Sequence, residues 1–156
     1  MEFGWGEAWA WGLSLIAVTI ALHAFGVVMA AVVLTRIRGR IVDRGWTFWH
    51  ATMLAVATIG AVGLALALLH GVEAMIWAGM YVWLGALASG HDAILYSVDS
   101  MTTRGAAEVR LQNSWQLMGA LEAADGMLLF GISTAFLFAV IDQVWRMLTI
   151  PKDRPR

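Results

Sequence analysis

Tyr96-Ser97-Val98-Asp99-Ser100-Met101-Thr102-Thr103-Arg104-Gly105-Ala106-Ala107-Glu108 lies between two long apolar blocks. It gathers a hydroxyl cluster (Ser97, Ser100, Thr102, Thr103), the carboxylates of Asp99 and Glu108, and Arg104. Ionisable groups between membrane-length segments are costly to bury, so they are functional candidates by default. A polar surface loop joining two spans is the other reading, and the surrounding chain decides between them.

That surrounding chain is 60% hydrophobic with a mean hydropathy of +0.73, and only 13% of its 156 residues are charged. Soluble domains are about 45–50% apolar and about 25% charged. Several apolar runs approach the ~20 residues that cross a bilayer as helix. An all-α integral membrane protein follows, with room for one domain. There is no cysteine, which excludes a disulfide framework and thiolate metal sites. The start at Met1-Glu2-Phe3 and the presence of Glu7 do not suit a secretory signal, which needs positive charge.

Leu13 to Thr35 reads as the first span, preceded by Trp5, Trp9 and Trp11 as an interfacial belt. His23 sits mid-span as a proton site or, the preferred reading, hydrogen-bonded to a neighbouring helix. Arg36, Arg38, Arg40 and Arg44 follow. Such a cluster marks the cytoplasmic side, and it can also touch anionic lipid headgroups. Trp46 and Trp49 mark the interface there.

The next block, about 48–88, reads as two short spans or one long helix. Charge decides. The tail carries Arg146, Lys152, Arg154 and Arg156, and one span puts both basic clusters on the same side. A continuous helix of about 40 residues would be about 60 Å long, so it must tilt, bend or project, with Gly60, Gly63, Gly71 and Gly79 as bending points. His70 and Glu73 share a face at i and i+3; a structural hydrogen bond is expected there ahead of a metal or proton site. Residues 92–103 read as a short helix of about 18 Å, enough to enter a bilayer halfway. Trp115 to Met147 reads as the last helix, with Gly126 and Gly131 as hinges or close contacts.

With this topology eight bases and three acids fall on the inner side, and eight acids and two bases on the outer side or in the outer half. An outer mouth built this way attracts cations.

Outward helix, short re-entrant helix, polar loop, inward helix: this order resembles the pore module of potassium channels, in particular the bacterial two-helix family. Tyr96 to Thr103 resembles a pore helix ending in Thr-Thr. Thr103-Arg104-Gly105-Ala106-Ala107-Glu108 stands where that family has Thr-Val/Leu-Gly-Tyr-Gly-Asp. Residues 115–123 and 131–140 look like its inner helix. The resemblance implies a division into 1–47 (an extra helix and basic loop), 48–147 (outer helix 48–88, pore helix 92–103, filter-like loop 103–110, inner helix 115–147) and a cytoplasmic tail 148–156. It implies a homotetramer in a bacterial-type inner membrane, N-terminus outside and C-terminus cytoplasmic.

The filter departs from the pattern. Filter geometry uses glycines because alternate residues take backbone angles that others resist. Gly105 is kept, but Ala107 replaces the second glycine, Ala106 the bracing tyrosine and Arg104 a small apolar residue. Arg104 pairs with Asp99 or Glu108, or else points into the pore, where four positive charges would favour anions. The filter candidates are Thr102, Thr103, Arg104, Gly105, Ala106, Ala107 and Glu108. Asp99, Glu122 and Asp125 are candidate supports, the last two facing either a lumen or other helices, and Gly126 and Gly131 are candidate gating hinges.

The function expected is weakly selective cation passage. A non-conducting channel-like subunit is the alternative, and anion passage past Arg104 the third. No enzyme is expected, since no nucleophile–base pair at recognisable spacing and no phosphate loop occur. Neither a metal centre nor a nucleic-acid partner is expected, and no cofactor beyond a permeant monovalent ion; the partners expected are the bilayer and further copies of the chain.

Overall fold

A computed structural model describes residues 3–41, 48–105 and 109–149. The described residues form helices joined by turns and irregular segments, with no strand among them. Helix α1 is Phe3–Ile41, α2 is Phe48–Trp83, α3 is Gly90–Met101, and a 3₁₀ turn at Asn113–Trp115 leads into α4, Gln116–Thr149. Trp5–Arg36, Trp49–Trp83 and Asn113–Arg146 are each long and apolar enough to cross a membrane. These three helices fit a multi-pass helical membrane protein. The block after the first basic cluster is one helix, passing its glycines without interruption.

Contacts between helices set their directions. Gly12 on α1 meets Leu121 on α4, and Thr19 on α1 meets Asp125. Gly26 on α1 meets Leu69 on α2, and Trp11 packs edge-on against Trp83 with centroids 5.4 Å apart. Helices α1 and α4 therefore run in parallel and α2 runs against both. The core beneath Trp11 and Trp83 holds Ala8, Leu15, Trp77, Ala78, Tyr81 and Met118, with Tyr81 also edge-on to Tyr96 of α3.

Helix α2 stops at Trp83, short of the expected Ala88. Gly85 has φ +68°; its N–H donates to Val82 O and that of Ala86 to Tyr81 O. This is a Schellman ending, which calls for a left-handed residue and usually takes glycine. Helix α3 begins at once. Ser89 Oγ accepts the Asp92 N–H at 3.3 Å, and Asp92 complements the N-terminal dipole. The observed start at Gly90 and end at Met101 fall two residues before the expected 92 and 103.

Helix α3 leans into the angle between α2 and α4. Its last residue, Met101, clusters with Ala74 of α2 and Leu129 of α4. Ala74 stands nine residues before the end of α2, or about 14 Å along the helix axis. A methyl group on Gly126 would collide with the Met101 backbone. Gly126 is therefore a docking glycine in an unbroken helix. Gly131 meets nothing within 4 Å, and α4 is continuous through both.

Gly126→Ala should lower stability by about 1–3 kcal/mol through overpacking, seen as a lower thermal midpoint in micelles. Gly131→Ala should be neutral or gain up to about 1 kcal/mol from helix propensity.

Candidate functional site

Two groups of polar side chains stand out: a buried seam between the three long helices, and the end of α3 with the loop leaving it.

The seam follows from a shared spacing. His70, Glu73, Trp77 and Tyr81 lie on one stripe of α2, and Glu122, Asp125, Leu129 and Ser133 on one stripe of α4. Residues three and four apart stack on the same helix face, so two antiparallel helices with these stripes match level by level. Helix α1 adds Thr19 and His23, both fully buried.

At the level nearest Trp83, Tyr81 Oη donates to Glu122 Oε2 at 2.7 Å. Ser97 Oγ of α3 is hydrogen-bonded to Glu122 Oε1 and lies 2.8 Å from Ala74 O. One level further, Thr19 Oγ1 and Trp77 Nε1 donate to Asp125 Oδ2 at 2.6 and 3.1 Å. Asp125 Oδ1 is buried without a hydrogen-bond partner among the described residues.

Furthest from Trp83 lies a ring of four side chains. His23 Nδ1 is 2.8 Å from Glu73 Oε1 and His70 Nδ1 is 3.2 Å from Glu73 Oε2. Both Nε2 atoms reach Ser133 Oγ, His70 at 3.0 Å and His23 at 3.1 Å. The imidazoles face each other at 5.1 Å, and His70 also stacks on Phe130 at 4.2 Å. The side chains of His23 and Glu73 are fully buried, and that of His70 is 12% exposed. The His70–Glu73 contact is close but not aligned as a hydrogen bond, which leaves Nδ1 and Oε2 unsatisfied.

The structure thus brings together His23, His70 and Glu73, which sequence reasoning treated as one isolated histidine and one helix pair. It gave Ser133, Thr19, Trp77 and Tyr81 no role in a site. The signal was the spacing of polar residues at helical intervals; the vertical register that matches one stripe to another was not in it. Glu122 and Asp125 face other helices. Glu122 reaches the Ser97 hydroxyl of α3, whereas Asp125 binds α1 and α2 and not α3.

Of the expected filter, Thr102, Thr103, Arg104 and Gly105 are exposed. Ala106, Ala107 and Glu108 lie outside the described residues, as do 42–47 with Arg44 and the tail from 150; Arg36, Arg38 and Arg40 of the expected basic loop belong instead to α1, which runs on past Thr35. Arg104 Nε lies 3.4 Å from Asp99 Oδ1, its side chain 78% exposed. Helix α3 also closes with a Schellman pair, Thr103 N–H to Ser100 O and Arg104 N–H to Asp99 O. Here Thr103, at φ +57°, occupies the place that Gly85 fills in α2. Gly105 follows at φ +71°, so left-handed residues alternate as the chain leaves the helix.

No protein-family model matches the chain, and no curated protein or solved structure is similar to it at a significant level.

Thr103→Gly should stabilise the fold by about 1–2 kcal/mol, the cost of a side chain in the left-handed region, read as a higher thermal midpoint. Tyr81→Phe should cost about 1–3 kcal/mol, because a buried carboxylate loses a donor. With Glu122→Leu already in place the same change should cost markedly less in a double-mutant cycle.

Proposed function

We propose that the chain is one subunit of a pore-loop ion channel, potassium-channel-like in architecture, with an altered filter passing monovalent cations with weak selectivity. One observation carries the proposal: Thr102 to Gly105 are exposed at the tip of a helix whose last residue is packed about 14 Å below the end of α2. Irregular polar backbone at such depth is tolerated only where protein or a water-filled cavity surrounds it. A mostly exposed arginine there costs several kcal/mol or more against lipid. Further copies around a central, water-filled axis supply both needs, with α3 as the re-entrant pore helix of a homotetramer. The apolar residues Ile94, Leu95 and Val98, exposed on α3, give neighbouring subunits a surface to pack against.

Arg104 beside Asp99 supports a loop whose guanidinium is held back toward the pore helix rather than across the axis. Four arginines on the axis would repel cations; paired, each loses most of that effect. Potassium selectivity is not expected, because the Ala106-Ala107 segment lacks the tyrosine and the second glycine. The same Arg104–Asp99 contact favours a second reading, a channel-like subunit whose loop is closed by four such pairs and does not conduct. The bacterial-type inner membrane, with the arginine-rich ends cytoplasmic, belongs to this proposal and follows the positive-inside rule.

Reconstitution into liposomes tests it. Reversal potentials should show cations passing in preference to chloride, with potassium and sodium nearly equal. A chloride reversal, or a potassium-selective one, overturns the filter argument. A silent but intact tetramer supports the second reading, and a monomer in native mass spectrometry overturns both. Arg104→Val with Ala106→Tyr and Ala107→Gly should shift selectivity toward potassium.

A further inference from the structure

We propose that His23, Glu73 and His70 form a binding site for one first-row divalent transition-metal ion, of the zinc class, between α1, α2 and α4. The inference does not rest on the channel reading.

The donor set fits. Two imidazoles and one carboxylate suit zinc and its neighbours, whereas magnesium and calcium take oxygen cages. One ligand atom from each of the three residues lies within 4.8 Å of the others. The edge of a tetrahedron with ~2.0–2.1 Å bonds is about 3.4 Å, so small side-chain movements close the site. Both Nδ1 atoms face Glu73 and both Nε2 atoms face Ser133.

Hydrogen counting supports the same atoms. Four links join the ring, but two neutral imidazoles, a hydroxyl and a carboxylate supply three protons. The link left short is the His70 Nδ1–Glu73 Oε2 contact, whose two atoms are buried and unsatisfied. A cation among the Nδ1 atoms and the carboxylate satisfies that contact directly. Each imidazole then carries its hydrogen on Nε2, and Ser133 Oγ offers a lone pair to each. Ligating histidines characteristically donate their second N–H to an outer acceptor that fixes the tautomer; a single hydroxyl serves both here.

Charge points the same way. Glu73, Glu122 and Asp125 are fully buried, and no lysine or arginine is buried among the described residues. Isolated buried charges are expensive unless paired or bound to metal. A divalent ion at Glu73 offsets that carboxylate and one further negative charge in the seam. Three protein ligands leave a fourth position open, and His70 is the one of the three that is partly exposed.

The test is metal content and metal titration of the full chain in micelles. After expression with zinc in the medium, mass spectrometry should find about one ion per chain. Chelator-stripped protein titrated with Co²⁺ should develop visible ligand-field absorption and a higher thermal midpoint, and Mg²⁺ should do neither. His23→Gln and Glu73→Gln should lose the ion, checked for intact helix content by circular dichroism. Ser133→Ala keeps all three ligands and should still bind one ion, roughly 10–100-fold more weakly. Background metal in the wild-type protein overturns the site, as does unchanged Co²⁺ binding in folded Glu73→Gln. An equal response to Mg²⁺ overturns the assigned class of ion.

Discussion

A polar group shut away from water must find its partners within the chain, and this constraint organises the bundle. Glu73, Glu122 and Asp125 are fully buried, and each is bonded by side chains from another helix. Helix α1 reaches α2 through His23 and α4 through Thr19; α3 reaches α4 through Ser97. Between helices in lipid no hydrophobic force selects one register over another, and individual hydrogen bonds contribute only about 1 kcal/mol. Their combined geometry is what selects. Sliding any one helix by a turn would strip a buried carboxylate of its donors, which costs several kcal/mol.

The same constraint separates what the sequence revealed from what it hid. Long apolar runs and the segregation of charge were enough for three helices of membrane-crossing length and for one unbroken helix over most of the second block. The short helix was legible from Asp92 and its apolar face. Gly85 also announced the end of α2, but the expectation ran past it to Ala88, because apolar composition continues through the turn. His23 was visible as a polar residue in an apolar run; that it meets Glu73 fifty residues away depends on how two helices are staggered, and no local pattern records that. For Glu122 and Asp125 the residue types left lumen and helix contacts open, and the partners supplied by Tyr81, Ser97, Thr19 and Trp77 resolve them toward helix contacts.

Helices α2 and α3 end in the same hydrogen-bonding motif with different residues at its left-handed position. Gly85 takes the position freely, and Thr103 takes it against its β-branched side chain. Backbone strain of this kind persists only where the surroundings hold it. Around Thr103 those surroundings include Met101 wedged against Gly126 and Arg104 held near Asp99. The first helix is equally bound into the whole. Its Thr19 and His23 supply hydrogen-bonding partners to acids on α4 and α2.

That dependence has a consequence for how the chain enters a membrane. The more apolar helices come first, and α4, with Glu122 and Asp125 in its first half, is the least apolar of the three. A segment bearing two carboxylates partitions poorly into lipid alone. When α4 leaves the ribosome, Thr19, Trp77 and Tyr81 are already made. The early helices can therefore act as a solvent for the late one, offering its acids hydroxyl and indole donors in place of water. Order along the chain thus becomes order of assembly, with the last helix inserting against a surface its predecessors have prepared.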